Sequence, residues 1–203
     1  MLPYAVFHYI SLPSLTKKGT YMSPIRNALL MLLAVLGFMQ AASTYAQQAS
    51  PPTLEYLMSY KALLEPPTPV DNSLVIVNVK PGGWVKGPKI NGSFVAPGAD
   101  WLRIMPSGVL RLDVRASILT DDNQLIYLSY AGIAVHSTES AAKAGRGEVV
   151  TWKDVQYFIT APTFQTSSEK YAWLNGVQAI NKGVEFKLGE GGYVIYDVYI
   201  VRP

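Results

Sequence analysis

Asp113 and Arg115 stand two residues apart in a stretch, residues 109–120, whose alternate positions are apolar. A period of two puts that pair on one face and Leu110, Leu112, Val114, Ala116 and Ile118 on the other. A carboxylate so placed can move a proton, and a guanidinium can hold an anionic or carbonyl oxygen. Asp100-Trp101 follows a Pro-Gly turn, and Tyr127 falls on a separate extended segment. Tyr171, Trp173 and Asn175 share a face if their own segment is extended. Trp101, Tyr127, Tyr171 and Trp173 offer flat stacking area, while Arg115, Asp113 and Asn175 offer polar anchors. Such a lining suits a small aromatic or carbonyl- or carboxylate-bearing molecule. The candidate catalytic groups are Asp113, Asp100 and Tyr127 for proton transfer, with Arg115 steadying developing negative charge. The plainer reading makes Asp113–Arg115 a solvated pair and the aromatics packing.

The rest of the inventory is restrictive. There are no cysteines and two histidines, His8 and His136, which excludes zinc sites of the common kinds. His136 reads as a loop residue beside a short helix. No glycine-rich dinucleotide or phosphate loop occurs, and no nucleophile elbow. No cofactor and no metal are expected. Gly189-Glu190-Gly191-Gly192 reads as a hairpin turn, and Asp121-Asp122-Asn123 as an acidic turn rather than a calcium loop. Lys17, Lys18 and Arg26 are the only charged residues before Glu55, so the remaining basic residues balance the 14 acidic ones. A nucleic-acid partner, which needs a basic face in the folded part, is not expected.

The elements that must position these groups begin after an export signal. Residues 28–39 form an uncharged apolar run, Arg26 precedes it, and small residues lead to Ala46. This is the pattern of a secretory signal cut after Ala46, with Met22 as the start of translation. The run falls short of the ~20 apolar residues of a spanning helix. Residues 1–46 are thus read as extension plus signal, 47–53 as a flexible lead-in and 54–203 as one domain. The protein is expected in the periplasm or secreted, with no permanent membrane anchor once the signal is cut. Extended segments follow at 54–64, 74–80, 84–96, 101–105, 109–120, 125–135, 157–160, 171–180, 184–188 and 193–201, separated by Pro, Gly, Asn and Asp. Only 138–144 reads as helix, capped by Ser137 or Thr138. The expected fold is all-β, a single antiparallel up-and-down β-barrel with one short helix, since closure removes the edges that a disulfide-free exported protein would expose.

The ordered pieces Gly82-Gly83, Gly87-Pro88, Pro97-Gly98-Ala99-Asp100-Trp101, Leu112-Asp113-Val114-Arg115 and Thr120-Asp121-Asp122 continue with Leu125-Ile126-Tyr127 and Tyr157-Phe158. Ala161-Pro162, Tyr171-Ala172-Trp173-Leu174-Asn175 and Asp197-Val198-Tyr199 complete the series. Together they resemble the DUF3237 or UPF0311 family of bacterial and fungal proteins. The resemblance implies an antiparallel β-barrel and no established activity. Asn123 stands where the family's Asp-Asp-Gly turn has glycine, and Ile159 where an Arg commonly follows Tyr-Phe.

The leading functional expectation is binding of a small organic molecule in the barrel lumen. One alternative is a cofactor-free lyase, isomerase or hydratase acting on such a molecule; another is a structural outer-membrane barrel. The expected partner is the small molecule, and a homodimer is left open. A lumenal carboxylate of raised pKa would favour catalysis, and an apolar cup with satisfied charges would favour carriage.

Overall fold

The computed structural model describes residues 50–203. The expected extension and signal, residues 1–46, and the first residues of the lead-in lie outside the described residues. Ten strands form one antiparallel sheet: β1 (Thr53–Leu64), β2 (Thr68–Pro69), β3 (Leu74–Lys86), β4 (Asn91–Ile104), β5 (Leu110–Thr120), β6 (Leu125–His136), β7 (Val150–Thr151), β8 (Val155–Gln165), β9 (Ala179–Lys187) and β10 (Tyr193–Arg202). The eight longer strands pair in chain order, and β1 pairs with both β10 and β3, so the sheet closes into the expected up-and-down barrel. Closure needs β3 to come very near β1. A Cβ on Gly83, which sits at φ +70°, would overlap the Lys61 carbonyl oxygen, so only glycine permits this approach.

The helix α1 (Thr138–Gly145) forms where expected, with the Ser137 hydroxyl accepting from the Ser140 N–H at 3.1 Å. Three other expectations are corrected. The sequences Pro81-Gly82-Gly83 and Pro97-Gly98 do not separate strands. They are irregularities inside β3 and β4, where the register shifts between Asn78 and Val85 and between Val95 and Ala99. The chain reverses between them at residues 87–90. Asn181-Lys182-Gly183 likewise runs within β9 instead of turning. The segment 171–180 is not a strand, because Glu169–Gly176 winds into a 3-10 helix. There the Asn175 amide accepts from the Thr166 N–H and donates to the Thr166 carbonyl, taking the place of ladder bonds.

The barrel interior divides along its axis. At the end closed by the 3-10 helix, Leu57, Met58, Ile118, Ile126, Leu128 and Leu174 are all fully buried and form a solid core. Each contributes roughly 1.5–3 kcal/mol by leaving water. Tyr171 helps to hold this end shut, its hydroxyl donating to Asp122 at 3.0 Å across the β5–β6 turn. In that turn Asn123 takes φ 60°, which explains how it stands in for glycine. The other half, bordered by α1 and by the β4–β5 and β9–β10 turns, is hollow.

Candidate functional site

The hollow is a cavity of about 100 Å³. The apolar face of β5 supplies one wall through Leu110, Leu112, Val114 and Ala116. The facing wall is aromatic. Phe158 meets Tyr196 with ring centroids 5.1 Å apart and Phe186 at 6.0 Å, and Tyr60 meets Tyr196 at 5.3 Å and Phe94 at 5.2 Å. Most of these rings meet edge to face, the favourable geometry for aromatic pairs.

Few polar groups reach this space. Asp100 is the one carboxylate among the described residues that lines it. It points inward because β4 pairs with β5 so that Asp100 lies opposite Val114, a lumen-facing residue. One carboxylate oxygen accepts from the Asp113 backbone N–H at 3.0 Å. Burial in apolar surroundings lifts its pKa to about 6, the Asp113 N–H pulling it down and the Asp113 charge adding to the rise. The phenols of Tyr60, Tyr130 and Tyr196 are pushed up by burial and stay protonated donors. Beyond them His136 ends β6 at the cavity rim. Its Nδ1 lies 3.2 Å from the Ser140 hydroxyl, and its ring sits edge-on to Phe186 at 5.4 Å. Burial lowers its pKa, so the imidazole is neutral at pH 7. It lies six positions along β6 from Tyr130, roughly 20 Å of strand, and lines the same cavity as Asp100.

Of the residues singled out from the sequence, only Asp100 lines the cavity. Asp113 and Arg115 face solvent, paired at 3.1 Å with each side chain about half exposed. Arg115 also lies over the outer face of Trp101, 5.2 Å from its centroid. Their placement in the lumen is corrected: a closed barrel's lumen is also its hydrophobic core, so β5 turns its apolar face inward. Leaving the guanidinium inside would bury a charge at a cost of several kcal/mol. Tyr127 is likewise exposed on the outer face of β6. Tyr171, Trp173 and Asn175 belong to the 3-10 helix at the solid end and do not share a strand face. Trp173 there lies beside Lys89, whose Nζ is 5.4 Å from its centroid. A charged exterior around an apolar interior is also the inverse of an outer-membrane barrel. Tyr60, Tyr130 and Tyr196 were not singled out, and His136, read from the sequence as a loop residue, instead ends strand β6 and lines the cavity. For Tyr130 and Tyr196 the signal was their place on the apolar face of an alternating strand.

A family model described as "Protein of unknown function (DUF3237)" matches residues 52–201. The chain is 39% identical over 93 residues to a UPF0311 protein of Rhodopseudomonas palustris, a stretch covering 46% of this chain and 60% of that relative. The chain thus spans about 60% of the length of that curated relative in the match. The crystal structure of the R. palustris protein, described as conserved and of unknown function, superposes with TM-score 0.68 at 27% identity, covering 76% of this chain and 99% of that one. A β-barrel-like protein from Acinetobacter baumannii superposes with TM-score 0.60 at 29% identity, covering 77% and 99%. A hydroalkoxylation enzyme of Penicillium herquei is 30% identical over 142 residues, 68% of this chain and 79% of the enzyme.

Proposed function

This chain belongs to the DUF3237 family, and from that premise we propose that it is a cofactor-free enzyme of the addition–elimination class, working on a small, flat, largely apolar molecule inside the lumen. One observation carries the reading: the only carboxylate lining the cavity, among the described residues, titrates at about 6. A group poised there can accept and return a proton near neutral pH. Hydroalkoxylation, the activity named for the P. herquei relative, adds an alcohol O–H across a carbon–carbon double bond. The oxygen gains a bond to one carbon, the other carbon gains the proton, and no electrons are exchanged with a redox partner. The chemistry asks for a proton-transfer group and an apolar enclosure. Asp100 would take the hydroxyl proton as carboxylate and return it to carbon, while the protonated phenols hold oxygen. The signal-like N-terminal segment supports placing this activity outside the cytoplasm.

The test uses alkenyl phenols, beginning with 2-allylphenol, in deuterated buffer. Ring closure with deuterium on the newly protonated carbon is expected from the wild type. Asp100→Asn should lower the rate about 100- to 10,000-fold, whereas Arg115→Ala, a change on the outer wall, should leave it unaltered. Recovery of bound phenol that the wild type has neither closed nor labelled would identify a carrier.

A further inference from the structure

His136 ends β6 and lines the cavity together with Leu110, Phe158, Phe186 and Leu188. It is the one histidine among the described residues, and proton transfer through Asp100 makes no use of it. Its Nδ1 lies 3.2 Å from the Ser140 hydroxyl. The other bonds of that hydroxyl decide which ring nitrogen carries the proton.

Ser140 is buried, at 1% exposure. Its hydroxyl has one proton, which it donates to the carbonyl of Ser137, the residue that caps α1, at 3.1 Å. The Ser137 hydroxyl in turn donates to the Ser140 Oγ at 3.4 Å while accepting from the Ser140 N–H. With its proton committed, the Ser140 Oγ meets Nδ1 as an acceptor, so Nδ1 carries the hydrogen of the ring. Burial keeps the imidazole neutral, and a neutral imidazole has a single N–H. Nε2 is therefore a bare lone pair, able only to accept. The two ring nitrogens diverge, so with Nδ1 tied to the helix Nε2 points away from it. Among the described residues the buried side-chain polar atoms without a partner are the Thr160 Oγ1 and the Asn181 Oδ1. Nε2, which bonds no protein group, thus opens on accessible space. The neighbours it has there are apolar. A carbonyl or carboxylate oxygen has no proton to offer it, whereas a hydroxyl has.

We propose that the His136 Nε2 forms a subsite at the rim of the lumen for the hydroxyl of a phenol-type substrate, with Ser137 and Ser140 as positioning residues that fix its tautomer. This deepens the addition–elimination reading by naming the substrate class, and it rests on that reading only for what becomes of the bound molecule. Aromatic surface alone would accept any flat apolar molecule, so the bare nitrogen is what selects a hydrogen-bond donor.

The full chain labelled with nitrogen-15 is the sample, and phenol and anisole are the probes, since anisole carries the same oxygen without its proton. His136→Phe removes one of the chain's two histidines and so assigns the ring signals. At pH 7 the resting ring is expected to show a protonated Nδ1 and a bare Nε2. Phenol should move the Nε2 signal and anisole should not, and calorimetry should find phenol bound about three- to tenfold more tightly. His136→Phe should abolish that preference. Ser140→Ala should spread the proton over both nitrogens, a change that a merely structural serine would not produce; if that variant does not fold, the wild-type ring signals decide alone. A proton on Nε2, a phenol that fails to bind or binds without moving Nε2, or a preference that survives His136→Phe would overturn the subsite. Asp100→Asn keeps the two readings apart. Turnover lost with Nε2 silent removes only the subsite, and turnover intact with Nε2 responding removes only catalysis by Asp100.

Discussion

Asp100 is held in a setting that disfavours its own charge, and this has a sign that can be measured. An unfolded aspartate titrates near 3.9, and the folded one at about 6. Between those values the folded protein binds more protons than the unfolded chain, so stability falls as pH rises through about 4 to 6 and is level above. The difference is on the order of 2 kcal/mol once partial exposure at the cavity is allowed for. Asp100→Asn, which keeps the acceptor for the Asp113 N–H, should melt higher than wild type at pH 7 and match it at pH 4. Melts at both pH values check this, and equal melting at pH 7 would show an aspartate free of desolvation. The sequence marked Asp100 as a carboxylate after a turn. Its inward direction follows from lying opposite Val114, a register set by the irregularity at residues 96–98 that no local pattern announces.

At the scale of elements, alternation in β5 and β10 was legible residue by residue. Leu112, Val114 and Ala116, and Val194, Tyr196 and Val198, do share faces. Which face lines the lumen was misjudged because the lumen was assumed to be polar. The 3-10 helix was illegible for a different reason. Tyr171, Trp173 and Val177 suit a strand, and the bond that sets the segment, Tyr171 to Asp122, joins residues 49 positions apart. Close approaches of strands are equally hidden until glycines are seen in place. A Cβ on Gly183 would fall 2.0 Å from the Phe158 ring. Gly183→Ala should push Phe158 off the aromatic wall and cost about 1–3 kcal/mol, together with weaker toluene binding. Denaturant melts and a calorimetric titration with toluene measure the two effects, and an unchanged pair of values would mean that the ring has free space to retreat.

The barrel joins a solid half, which supplies stability, to a hollow half, which gives up packing for space. Without cysteine, its rigidity rests on closure of the sheet. The N-terminal segment bears on where this barrel works: expressed with its own N-terminus in a Gram-negative host, the protein should be recovered outside the cytoplasm with an intact mass starting at or near Gln47. A membrane-bound form retaining residues 28–39 would instead be an anchored protein. Closure is uneven around the circumference. β5 and β6 are zipped through ten residue pairs, β8 and β9 through only two, Ile159 with Lys182 and Thr160 with Asn181. Above those pairs β9 turns to β7 for partners, and the Phe158 ring packs against Gly183 of β9. The barrel thus resembles a garment fastened everywhere except along one short placket. Breathing motions should concentrate there, and deuterium should reach the β9-facing amides of β8 well before those of β5.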